Sequence, residues 1–229
     1  MNLSSAMALS RKENDAGRPL AESEAARMLV VEQCRSEAIN CPNALIRTSA
    51  YARAIEEWAE LNHMEERLKA RLRGGPARFH QKLRIAIAGC PNSCSRPQIA
   101  DLGVIGSVEP VFDPAGCAEC GACREACPDG AISGESRLPL FDLSVCQGCK
   151  RCARACPAGC ITLSLPRVRV LAGGKLGRRP RLADDIGEAS GPEEFVSIAA
   201  PLIDDYLENA GPDERFADYW ARARREGKE

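Results

Sequence analysis

The chain has no excess of charge of one sign, no long apolar run and few aromatics. Its 31 Lys and Arg against 32 Asp and Glu give a formal net charge of −1, so neither nucleic acid nor an anionic membrane is an expected partner. Aromatic residues are 4% of the sequence, and the basic run between Arg167 and Arg181 contains none, which argues further against a base-stacking surface. No apolar stretch approaches the roughly 20 residues of a membrane span. No charged segment followed by an apolar core and a cleavage site opens the sequence. The expectation is a cytoplasmic protein, in a compartment where thiols stay reduced. Histidine is scarce as well: His63 sits in a helical pattern and His80 near Lys82, and neither points to a function.

Cysteine, by contrast, is abundant at 13 residues. Without an export signal these read as metal ligands rather than a disulfide framework. Eight fall in two runs, CAECGACREACP from Cys117 to Pro128 and CQGCKRCARACP from Cys146 to Pro157. Each reads CxxCxxCxxxCP, a spacing that wraps three thiolates around one iron–sulfur cube and sends the fourth to a neighbouring cube. The crossover assigns Cys117, Cys120, Cys123 and Cys156 to one 4Fe-4S cluster and Cys127, Cys146, Cys149 and Cys152 to the other. CxxC pairs also build zinc sites, but a doubled run of four cysteines, each closed by CP, favours cubanes. Over residues 110–165 the segment resembles bacterial two-cluster ferredoxins. Superposing the repeats on their prolines sets Cys160 against Ala131, so Cys160 reads as a small buried hydrophobe.

Cys34, Cys41, Cys90 and Cys94 remain, in CRSEAINCPNAL and GCPNSC. The stretch GCPNSCSRPQIADLGVIG, the CPNAL after the first pair, VRVLAGGKLGRRPRLA at 168–183 and DERFADYW at 213–220 together resemble siroheme-dependent sulfite and nitrite reductases of the small and dissimilatory type. The likeness extends over about residues 28–222, and dissimilatory members also carry an inserted ferredoxin domain. The resemblance implies a third 4Fe-4S cluster on Cys34, Cys41, Cys90 and Cys94, with Cys94 shared with the siroheme iron. It further implies that the KLR of Lys82 and Arg84 contacts the substrate anion like a KxK pair, although a solvated edge strand also carries such charges. For the basic run it implies that Gly173, Gly174, Lys175, Arg178, Arg179 and Arg181 meet the macrocycle and its carboxylates, which arginine grips in bidentate fashion. A solvated basic loop is the plainer alternative.

Apolar positions from Tyr51 to Leu72 recur at three- and four-residue steps and predict one amphipathic helix over 48–73, ended by Gly74 and Gly75. Leu83–Ala88 reads as a strand with Lys82 and Arg84 on one face and Leu83, Ile85 and Ile87 on the other, delivering two cations beside the Cys90 loop. Residues 102–108 and 168–171 read as strands, and 193–209 as a helix interrupted near Pro201. The expected fold is α+β: a mixed sheet with helices, formed by 34–109 and 166–229, with the ferredoxin-like module of 110–165 inserted. Residues 1–33 read as a leader, a truncated form of the lobe that supplies cofactor arginines in such reductases. A second copy or another subunit would then complete the pocket.

Two functions follow. One is a sulfite reductase or its subunit, acting on sulfite or nitrite with electrons from a donor protein. The other is a non-catalytic multi-cluster electron carrier without siroheme.

Overall fold

A computed structural model of the chain describes residues 27–72, 77–134 and 137–227. Its frame is a five-stranded sheet of β1 (Leu29–Gln33), β2 (Leu83–Ala88), β3 (Leu102–Ser107), β8 (Arg167–Ala172) and β9 (Asp184–Ala189), in the order β1-β2-β3-β8-β9. The first three strands are parallel and the last two antiparallel to their neighbours. Register sets Ile85 beside Leu102 and Ile87 beside Val104, with Ala172 and Val170 next in line. These rows form the core face and are almost fully buried. Each Ile, Leu and Val among them stabilises the fold by about 1.5–3 kcal/mol.

Four helices cover that face: α1 (Thr48–Leu61), α2 (Met64–Lys69), α5 (Pro192–Asn209) and α6 (Phe216–Arg225). Tyr51, Ala52, Ile55 and Ala59 recur at helical spacing and put one stripe of α1 into the core. Phe195 of α5 meets Tyr51 with ring centroids 6.2 Å apart. The single helix expected over 48–73 is two helices, because His63 adopts a left-handed conformation at φ 52°. The break swings α2 so that Met64 and Leu68 enter the core and Glu65 accepts the N–H groups of Met28 and Leu29, at 2.9–3.1 Å, where β1 begins. Gly74 and Gly75 lie outside the described residues. The interruption expected near Pro201 is absent: α5 runs through it, and Pro201 lies on its exposed side. The expected leader falls mostly outside the described residues, but its end is β1, a member of the sheet, so the sheet domain begins before Cys34.

Between β3 and β8 the chain leaves the sheet. It forms two small antiparallel pairs, β4 (Pro110–Phe112) with β7 (Ile161–Leu163) and β5 (Ile132–Ser133) with β6 (Leu140–Phe141). The short helices α3 (Ala122–Glu125) and α4 (Arg151–Ala155) each carry the third cysteine of a run, Cys123 and Cys152. This unit has its own small core of Cys123, Ile132, Cys160 and Ile161, flanked by Phe112 and Phe141.

Candidate metal centres

Parallel pairing explains why cysteines distant in sequence converge. β1, β2 and β3 point the same way, so Cys34 just beyond β1, Gly89 and Cys90 just beyond β2, and the insert beyond β3 all emerge at one end of the sheet, where open sheets generally place their ligands. The Cys34 N–H donates to the Ile87 carbonyl at 2.9 Å and the Gly89 N–H to Cys34 Sγ at 3.2 Å. Cys41 N–H donates to Ser36 O at 2.8 Å and Leu45 N–H to Gly89 O at 2.8 Å, folding the CPNAL loop back over the same end. Cys90 thus lies within electrostatic reach of Cys34, Cys41 and Cys94, and burial is the main cause of its raised thiol pKa. Cys90 is buried and Cys94 exposed.

In the insert, one cavity is lined by Cys117, Cys120, Cys123 and Cys156, with Cys160 at its wall. A second is lined by Cys127, Cys146, Cys149 and Cys152. These are the two crossed sets expected from the spacing. The Glu119 N–H donates to Cys117 Sγ and the Gly148 N–H to Cys146 Sγ, both at 3.4 Å, so the halves repeat in hydrogen bonding as well as in sequence. Burial raises the thiols of Cys123, Cys146 and Cys152, the last to about 11. Among the described residues, no three His, Cys, Asp or Glu side chains close on the position of a single ion; the cysteine sets line wider spaces. The Cys146 half is the one tied to the sheet domain. Lys150 Nζ donates to Ala44 O at 3.1 Å, Arg154 reaches Asn43 Oδ1 at 3.4 Å and Val108 N–H donates to Gly148 O at 3.2 Å. Gly148 is needed there, since a Cβ would stand 2.6 Å from the Val108 carbonyl and its φ is +67°.

Lys82 and Arg84 lie elsewhere. They flank the start of β2, whereas Cys90 follows its end, a separation of roughly 20 Å along an extended chain. The expectation that this strand sets both cations beside Cys90 is therefore corrected. Arg84 is bound to Glu32 at 2.9 Å and 3.1 Å and stacks over Phe79 at 5.2 Å, while its N–H donates to Asp101 Oδ2 at 2.9 Å. Burial pushes the Asp101 carboxyl up to about 6, against the pull of that N–H and of Arg215 and Arg84.

The basic run forms a tight hairpin against the segment that follows Cys94. Ala183 N–H donates to Gln98 O at 2.7 Å, and Gly174 packs on the carbonyls of Gln98 and Ala100, leaving no room for a side chain. Gly173 lies against Trp220 and Arg181. The close approach that glycine permits at both positions is thus to the chain itself. Lys175 pairs with Asp218, and Arg181 donates to the Gly173 and Ala217 carbonyls, so these two cations build the hairpin. Arg178 and Arg179 stand exposed at its tip.

Residues 27–224 match the family described as nitrite and sulphite reductase 4Fe-4S domain. The chain belongs to that family. A coenzyme F420-dependent sulfite reductase of Methanocaldococcus jannaschii is 39% identical over 93 residues, 41% of this chain and 13% of that protein. One subunit of the anaerobic sulfite reductase of Salmonella typhimurium is 42% identical over 57 residues, 25% of this chain and 16% of that subunit. The matched segments therefore span a small part of these relatives. The crystal structure of dissimilatory sulfite reductase I shares the fold, with a TM-score of 0.57 at 18% identity over 85% of this chain and 49% of that one.

For a member of this 4Fe-4S family the donor sets fit: three groups of four thiols, each with a backbone N–H aimed at one sulfur, as cluster thiolates accept. Two arginines on the sheet's second face add a signal that strand pattern alone understated. Arg84 Nε and Arg169 Nε are buried without a hydrogen-bond partner. Arg169 lies in the row of Ala88 and Ile105, at the cysteine end of the sheet. Arg96, exposed and left-handed at φ 57°, follows Cys94 closely. No helix among the described residues is long and apolar enough to cross a membrane.

Proposed function

We propose that this chain is the electron-delivering and cofactor-holding part of a sulfite reductase, carrying three 4Fe-4S clusters and siroheme. The observation that carries this reading is the convergence of Cys34, Cys41, Cys90 and Cys94 at one sheet end, against which the Cys146 half of the insert is seated through Lys150 and Ala44. Residues 110–165 are read as a two-cluster ferredoxin module. Electrons from a donor protein would enter at the outer set of Cys117, Cys120, Cys123 and Cys156, pass to the set of Cys127, Cys146, Cys149 and Cys152, and reach the sheet-end set. The exposed thiol of Cys94 is the one suited to bridging outward. Arg96, Arg178 and Arg179 are free at the surface to grip the carboxylates of a siroheme. Bound siroheme would supply an iron with an open position for the oxyanion. Arg169 is the cation best stationed to steady sulfite or nitrite. Each oxygen lost as water consumes two electrons and two protons. Because relatives are named as a subunit and as a much longer reductase, another chain or a second copy is the proposed completion of the pocket.

One observation favours the carrier without siroheme: Lys175 and Arg181 are spent within the hairpin. The absorption spectrum of anaerobically purified protein, with acid extraction of pigment, separates the two. A Soret band and an extractable iron tetrahydroporphyrin support the reductase. A broad brown envelope alone, persisting in a siroheme-making host with partner subunits co-expressed, leaves the carrier.

A further inference from the structure

The two halves of the insert match closely, and the match fails at one informative position. Ala131 follows Cys127 as Cys160 follows Cys156, and both side chains are buried. A methyl group offers a cluster nothing, but Cys160 Sγ lies 3.3 Å from Cys156 Sγ, within reach also of Cys117, and it lines the cavity of that cysteine set. The residue is fixed on both sides. Its carbonyl accepts the Asp113 N–H at 2.9 Å, and its Cβ packs where any side chain at Gly116 would stand 3.2 Å away. A cubane has four corners, and Cys117, Cys120, Cys123 and Cys156 fill them. Cys156 bound to iron carries no proton, so the hydrogen in the sulfur–sulfur contact must come from Cys160.

We propose that Cys160 donates an S–H hydrogen bond to the Cys156 thiolate and so makes the Cys117 cluster the more easily reduced of the two in the insert. This rests on the reading of the insert as a two-cluster module. Reduction adds one electron, whose charge spreads onto the sulfurs; a donor aimed at a sulfur stabilises the reduced state and raises the potential. No bond forms or breaks and the proton stays on Cys160. The Cys146 cluster, with Ala131 in the matching place, receives no such bond. The first electron taken by the insert therefore resides on the outer cluster, the one not seated on the sheet domain.

The test is a dithionite-poised titration followed by electron paramagnetic resonance on the full chain and three variants, with a Cys90→Ser protein identifying the sheet-domain signal. In the parent, the insert gives two reduction waves. Cys160→Ala lowers the upper wave by about tenfold in reduction constant, about 59 mV for one electron, and leaves the lower wave in place. Cys160→Ser, whose hydroxyl still donates, restores part of the shift. Ala131→Cys raises the lower wave. Iron and sulfide are counted on the same samples. Fewer than about eight irons in the insert of the parent contradicts the two-cluster module itself. Full iron with waves that Cys160→Ala and Ala131→Cys leave unmoved, or move in the opposite direction, overturns the role of Cys160 alone.

Discussion

The sheet domain and the insert are held together by different means. The sheet domain buries rows of Ile, Leu and Val under four helices and adds Tyr51, Phe195, Tyr206, Phe216 and Tyr219 to the same core. The insert buries Cys123, Ile132, Cys160 and Ile161, and half of that core is cysteine. A unit so small cannot remove enough apolar surface from water to offset chain entropy. On the proposed two-cluster reading its stability comes from metal–thiolate bonds, which makes folding and cluster binding one event. The sheet domain has a core of its own and, on the same reading, does not depend on a cluster to fold.

Four experiments sharpen this contrast. The largest effect comes from removing iron with a chelator under reducing conditions: hydrogen exchange should lose protection throughout residues 110–165 while β2, β3 and β8 keep theirs. Equal loss in both regions would break the comparison. Next, Phe195→Ala should destabilise the sheet domain by about 3–5 kcal/mol in denaturant melts without altering the iron held by the insert. Asp101→Asn is the third. The buried Asp101 holds its proton up to about pH 6, whereas an unfolded carboxyl loses it near 4. Stability from this group is therefore complete below about pH 4 and falls through pH 6, by about 3 kcal/mol in all. The difference in melting temperature between variant and parent should grow in the variant's favour from pH 4 to pH 6 and then level off. The smallest effect belongs to Arg84→Ala, which removes a partly buried pair with Glu32 and should cost about 1 kcal/mol. With Arg84 far from the cysteine end, sulfite affinity should be unchanged, and Arg169→Ala should weaken it.

Much of this was legible in the sequence because cysteine spacing and strand alternation are local signals. CxxCxxCxxxCP contains its own crossover, and Leu83–Ala88 alternates so cleanly that β2 has the bounds read from it. What escaped depended on partners remote in sequence. β1 is a strand because it pairs with β2. β9, with Asp184, Asp185 and Glu188, is too polar to announce itself, and it forms by pairing with β8. The helix break at His63 answers the need of Met28 and Leu29 for an acceptor, which no periodicity reports. In the same way, the residue types of Lys175 and Arg181 signalled anion binding, while Asp218 and the Ala217 carbonyl had already claimed them.

The central claim is that three sets of four cysteines hold three cubanes, one of them at the carboxyl ends of the parallel strands. Counting iron and acid-labile sulfide in the anaerobic parent and in Cys90→Ser tests it most directly. The account predicts about twelve irons and as many sulfides in the parent and about eight of each in the variant, with the insert's resonance signals intact. Zinc without sulfide in the parent, or an iron count that Cys90→Ser leaves unchanged, would contradict it.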